Sequence, residues 1–145
     1  MKSLILLLLS IIPNVGNTQK ILDWKLKSSV SASERKTILT TVKNEVEVEI
    51  KQKMAFTVRH LKVSNNYAWL EVDATKTDGR HLNFIDDSYD CCHVEALLQK
   101  KNGKWEIIVY GAFSTDCWYC GISLNYPEIP VGIFSESATG HLEGE

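Results

Sequence analysis

His93-Val94-Glu95-Ala96-Leu97-Leu98-Gln99-Lys100 and Lys104-Trp105-Glu106-Ile107-Ile108-Val109-Tyr110-Gly111-Ala112 flank Lys101-Asn102-Gly103. Both runs are rich in strand-forming residues. Asn-Gly between two such runs is the strongest short hairpin signal, because both turn positions of a type I′ turn need positive φ. A two-residue turn sets Lys101 opposite Lys104. Continued backward, that register places Cys92 opposite Phe113 and Cys91 opposite Ser114.

Upstream, Phe56 and Val58 alternate, and Leu61 and Val63 continue one position out of phase. A slip of one residue predicts a bulge near Arg59 and His60, since side chains change face with every residue of a strand. Asn65-Asn66 suits a tight turn, and Ala68, Leu70, Val72 and Ala74 then share a face. Asp78-Gly79 marks a further turn. Residues 81–90 read as loop with a short edge strand. Before the sheet, Ser31-Ala32-Ser33-Glu34 has the capping-box pattern, and Ile38, Leu39, Val42, Val46 and Ile50 recur at helical spacing. Glu47 with Lys51, and Glu49 with Lys53, are i,i+4 pairs in the favourable order. These signals outweigh the strand-like alternation of residues 45–50 and predict a helix over about residues 33–53. The expected class is α+β: an N-terminal helix packed on a curved antiparallel sheet of about four strands, with the other sheet face partly exposed. This is a roll of the cystatin or nuclear-transport-factor-2-like kind.

The chain has 145 residues, 44% hydrophobic and 23% charged. That suits one globular domain and argues against wholesale disorder. A net charge of -2 gives no general attraction to nucleic acid. Met1-Lys2 followed by Leu4 to Ile12, with Pro13, Asn14 and Gly16 behind, has the anatomy of a secretory signal peptide. The apolar run is too short for a bilayer, which needs ~20 residues, so no transmembrane segment is expected. The division is therefore signal peptide 1–18, a single α+β domain 19–134, and a flexible Gly/Ser/Glu-rich tail 135–145. Cleavage removes one charged residue, Lys2, taking -2 to -3. An exported protein, periplasmic or extracellular, meets an oxidising compartment.

In that setting the four cysteines, Cys91, Cys92, Cys117 and Cys120, read as structural disulfides. The hairpin register brings the two pairs close. The expectation is two bridges, each joining one of Cys91 and Cys92 to one of Cys117 and Cys120, with the connectivity open. Zinc, with His93 as an extra ligand, and a redox-active Cys-x-x-Cys are the alternatives. Adjacent cysteines lack the two-knuckle zinc pattern, and no helix signal follows Cys120. No cofactor or metal is expected. Asp86, Asp87 and Asp90 lack the spacing of a calcium loop and read as solvated. His60, His81, His93 and His141 show no ligand spacing, and His60 is expected on an exposed strand face. No nucleophile–base pair or Gly-rich phosphate loop can be nominated.

Phe56-Thr57-Val58, Leu61-Lys62-Val63, Tyr67-Ala68-Trp69-Leu70, Asp78-Gly79, Ala96-Leu97-Leu98, Gly103-Lys104-Trp105, Gly111, Thr115-Asp116 and the stretch from Pro130 to Phe134 resemble an uncharacterised family of exported bacterial proteins. The resemblance covers about residues 34–134. It implies a small secreted α+β domain and carries no activity; the four cysteines depart from it. Trp118 and Tyr119, held between cysteines, are the nominated binding residues, because aromatic side chains are enriched at interfaces. The expected function is an exported, non-enzymatic binding protein for an unknown protein or small molecule. A ligand-binding or enzymatic pocket between helix and sheet is the second reading. A thiol-redox or zinc protein is the third.

Overall fold

The structure, a computed structural model, describes residues 19–28, 31–84 and 89–140. The signal-peptide segment, Asp86, Asp87 and His141 lie outside the described residues. The described chain forms an antiparallel meander of five strands in sequence order, with one long helix after the first. Strand β1 (Leu22–Asp23) pairs with β2 (Met54–Ser64), then β3 (Tyr67–Lys76), β4 (His93–Lys101) and β5 (Lys104–Ala112) follow. The fold class is α+β as expected. The extra strand is β1, a two-residue edge too short to show periodicity.

The bulge falls where the phase slip places it. Val58 pairs with Val72 and His60 with Glu71, so Arg59 is the extra residue. Phe56, Val58, Leu61 and Val63 thereby all face the core beneath the helix. The hairpin turns at Asn102 and Gly103, at φ 49° and 79°. A second bulge was not anticipated. Leu98 pairs with Ile107 but Leu97 with Val109, leaving Ile108 unpaired in the register. It shifts everything beyond it by one position, so the expected facing of Cys92 with Phe113 does not hold. Phe113 N instead donates to His93 O at 2.8 Å. Residues 81–84, 89 and 90 form no strand.

Helix α1 (Ala32–Ile50) buries Ile38, Val42 and Val46 against Leu61, Leu70, Val72, Val94, Ala96 and Leu98. Its ends differ from expectation. Ser31 makes no side-chain capping bond. Glu34 turns to the sheet instead, accepting from Lys100 Nζ and Trp105 Nε1, each at 2.7 Å. The helix stops three residues early, with Lys51 left-handed at φ 53°. Glu47 accepts from Lys53 Nζ at 2.6 Å and Met54 N at 3.0 Å, and Glu49 accepts from Tyr110 OH at 3.0 Å. The expected pairs with Lys51 and Lys53 in helical register do not form, because the chain has already turned toward β2.

The other sheet face is covered as well. Trp69 and Leu97, each 0% exposed, pack under Ile122, Ile129, Ile133, Phe134 and Ala138. This C-terminal layer contains two single 3₁₀ turns and helix α2 (Glu136–Thr139). The face expected to be partly exposed is thus covered over Trp69 and Leu97, while Arg59 and Asp73 toward the bulge stay partly exposed. Residues 135–140 are packed rather than frayed: Ala138 is fully buried, and Gly121 N donates to Ser137 O at 2.9 Å. Composition marked this segment as tail, but the buried Ala138 together with the bonds of Ser135 to Glu71 and of Gly121 to Ser137 docks residues 135–140. His60, expected exposed, is half-buried with Nε2 2.7 Å from Ile133 O. Among the described residues no helix is long and apolar enough to cross a membrane.

Candidate functional site

The four cysteines pair within their sequence neighbours rather than between them. The sulfurs of Cys91 and Cys92 lie at disulfide-like distance, as do those of Cys117 and Cys120, whose Cα atoms are 5.4 Å apart. The cross-linking expected between the pairs is not formed. The β4–β5 ladder ends at Val94 and Ala112, and Phe113 just beyond it stands at φ 58°, so the strand register does not govern where Cys117 and Cys120 lie.

Trp118 and Tyr119 are half-buried and point inward. Trp69 meets Trp118 at 6.4 Å and Tyr119 at 6.2 Å between ring centroids, as tilted pairs. Trp118 Nε1 donates to Glu95 Oε2 at 3.2 Å. Gly111 makes room for this indole: a methyl there would stand 2.5 Å from Trp118 Cε2. The loop is thus fastened to the sheet.

Beneath it lies a polar network that the sequence reading missed. Alternation along β3 and β4 puts Trp69, Glu71 and Asp73 on one face with His93, Glu95 and Leu97. Glu71 and Glu95 are direct cross-strand partners. Like charges so placed repel, and each has acquired donors. Glu71 accepts from Trp69 Nε1 at 2.9 Å and from Ser135 Oγ. Glu95, with its side chain 0% exposed, accepts from Arg59 at 3.1 Å and lies 2.8 Å from His93 Nδ1. The other ring nitrogen of His93 lies 2.9 Å from Ser114 O, which can only accept, so it carries a proton. Glu95 and His93 then share one further proton: acid beside imidazole, or carboxylate beside imidazolium. Burial pushes the Glu95 carboxyl above its ordinary range, against the opposing pull of His93, Trp118 and Arg59. Burial and the charges of Glu95 and Glu71 push the Tyr119 hydroxyl up. With Glu95 sealed under Trp118, the network's chemistry is to hold the C-terminal layer in place. The signal for it was Glu71 and Asp73 in β3, and His93 and Glu95 in β4, alternating with the apolar Leu70, Val72, Val94 and Ala96.

One of several open concavities among the described residues lies on the other side of the sheet. A groove of ≈ 610 Å³ runs between α1 and the start of β2. Leu39, Met54 and Phe56 form its apolar floor, and Lys27, Arg35, Lys36 and Lys43 surround it. Its lining contains no carboxylate. Arg35 is fixed by bonds to Trp24 O at 2.9 Å and Lys25 O at 3.0 Å. Residues 32, 35, 36, 39, 40 and 43 form one stripe of the helix, adjacent to the buried stripe of Ile38, Val42 and Val46. That stripe is legible as 3–4 spacing, but only the tertiary structure sets it against Phe56. Comparison with protein families, with characterised proteins and with solved structures finds no match to this chain.

Proposed function

We propose that this protein is an exported, non-enzymatic binding module, a roll of the cystatin or nuclear-transport-factor-2-like kind, with its ligand seat in the groove between α1 and β2. The ligand is a small amphipathic anion, an apolar body carrying a carboxylate, sulfate or phosphate head. The observation that carries this reading is the lining: four cations around Leu39, Met54 and Phe56, with no carboxylate among them. A groove of ≈ 610 Å³ lies within the ~300–1,000 Å³ usual for small-ligand sites. The apolar floor supplies affinity through burial, and the cations orient the head group. The sealed state of Glu95 and the inward pointing of Trp118 favour this seat over the Trp118 and Tyr119 loop, which in this reading fastens the C-terminal layer.

Titration calorimetry with decanoate and decyl sulfate, below their micelle concentrations, tests the seat, with decyltrimethylammonium as the opposite-charge control. Binding of the anions, weakened about tenfold or more in Lys36→Glu/Lys43→Glu and by added salt, is expected. Equal affinity for the cationic amphiphile, or anion binding indifferent to the double variant, overturns the assignment. Export is tested separately. N-terminal sequencing of the protein recovered outside the cytoplasm should begin at or near Gln19; an intact Met1 start on an intracellular chain with all thiols reduced removes it.

A further inference from the structure

The end of β3 gathers two segments that are distant in sequence. Ala74 N donates to Cys92 O at 2.7 Å, and Lys76 N donates to Arg80 O at 2.8 Å. The strand backbone thus holds residues 80–81 and 91–92 side by side. His81, Cys91 and Cys92 consequently present an imidazole nitrogen and two sulfurs within 4.8 Å of one another. His81 and Cys91 are exposed, and Cys92 is half-buried. His93, the histidine adjacent in sequence, is not available: its nitrogens face Glu95 and Ser114 O. The nearest donors by sequence are therefore not the set that the fold assembles.

We propose that His81, Cys91 and Cys92 form a redox-gated site for a thiophilic d¹⁰ cation, Zn²⁺ or Cu⁺. Two thiolates and one imidazole are the donor set that such ions prefer. Ligand atoms ~2.0–2.3 Å from a shared zinc stand roughly 3.5 Å apart in a tetrahedron. Once the bond between them is cut, the two sulfurs must part from bonding distance to roughly 3.5 Å and the His81 imidazole must close on them, and solvent supplies the remaining position. When the two sulfurs are bonded to each other neither is a thiolate, and the site is off. An external dithiol switches it on: two electrons and two protons pass to the Cys91–Cys92 bond, giving two thiols, and the dithiol becomes a disulfide. Cation binding then displaces both thiol protons to solvent.

The experiment uses the full chain carrying Cys117→Ser/Cys120→Ser, so that one thiol pair remains. The protein is reduced with a phosphine, desalted without oxygen, and titrated with Zn²⁺ against a chromophoric chelator, and with Cu⁺ against a Cu⁺-specific one. One equivalent of at least one cation should bind the reduced chain and none the oxidised chain. Adding His81→Ala should weaken binding about tenfold or more, while His93→Ala in the same background should leave it within about twofold. Binding by the oxidised chain, no binding of either cation by the reduced one, or an unchanged constant in His81→Ala each overturns the proposal. Should the serine background lose its near-ultraviolet dichroism, the difference between reduced wild-type protein and reduced Cys91→Ser/Cys92→Ser is measured instead. A difference of one equivalent supports the site; equal stoichiometry overturns it.

Discussion

Gly111→Ala should unlatch the Cys117–Cys120 loop from the sheet. The backbone at Gly111 is not left-handed, so alanine is conformationally acceptable there and would by itself stabilise the chain by ~0.4–1 kcal/mol through the unfolded state. Packing opposes this. The new methyl would lie 2.5 Å from Trp118 Cε2 and 2.9 Å from Cδ1, which is ring on both sides and not the end of a flexible chain. Overpacking of this kind costs ~1–3 kcal/mol. If the indole slides away, its 3.2 Å bond to the sealed Glu95 carboxyl is lost, and a hydrogen bond contributes ~0.5–1.5 kcal/mol. The two costs are alternatives, and less the gain through the unfolded state they leave a net destabilisation of about 1–2 kcal/mol, or roughly 4–8 °C in Tm for a domain of this size. Urea unfolding followed by tryptophan fluorescence measures it. A double-mutant cycle isolates the cause. In the Trp118→Ala background Gly111→Ala should become nearly neutral or slightly stabilising, giving a coupling of about 1–3 kcal/mol. Additive effects, within ~0.5 kcal/mol, would show that the methyl and the indole do not meet, and the latch would have to be abandoned.

Three further outcomes follow from the electrostatics. Burial raises the folded-state pKa of Glu95 above the ordinary glutamate range, so its protonated form favours the fold. Its stabilising contribution is complete below the ordinary glutamate range and is lost as pH rises through the raised value. Glu95→Gln should therefore flatten the decline in urea-unfolding free energy over that window, and parallel wild-type and variant profiles contradict the assignment. Glu34 behaves oppositely. Its hydrogen bond to Lys100, aided by Trp105 and the Lys100 charge and opposed by burial, holds its carboxyl below 4.5. That contribution is present above the ordinary range and lost as pH falls through the lowered value, so Glu34→Ala should cost ~1–2 kcal/mol at neutral pH and far less in acid. Equal costs at both pH values refute it. Finally, burial and the Glu49 carboxylate push the Tyr110 hydroxyl up to about 12. Spectrophotometric titration should show, besides the raised Tyr119, a late tyrosine that is absent from Tyr110→Phe, and a normal Tyr110 would mean that the bond to Glu49 is not made in solution.

Much of the fold was determined by local sequence. Asn102-Gly103 dictates its turn because only positive φ closes a two-residue hairpin with the strand twist, and the phase slip between Val58 and Leu61 locates the bulge because a strand changes face with each residue. The stripe of Ile38, Val42 and Val46 likewise fixes the buried side of α1. None of these needs a distant partner. The second bulge, at Ile108, carries no such mark: Ile107, Ile108 and Val109 are interchangeable to any periodicity, and the register beyond them depends on what packs above and below. The same is true of Glu34, whose capping pattern yields to Lys100 and Trp105 across the core, and of the tail, where the buried Ala138 and the bonds of Ser135 and Ser137 override a polar composition. Charge alternation in β3 and β4 was visible but could not declare the second face covered. The groove of Lys27, Arg35, Lys36 and Lys43, and the meeting of His81 with Cys91 and Cys92, exist only because β2 and the end of β3 bring separate segments together. Short-range steric rules are written residue by residue; contact between remote segments is set by the sum of packing over the whole domain.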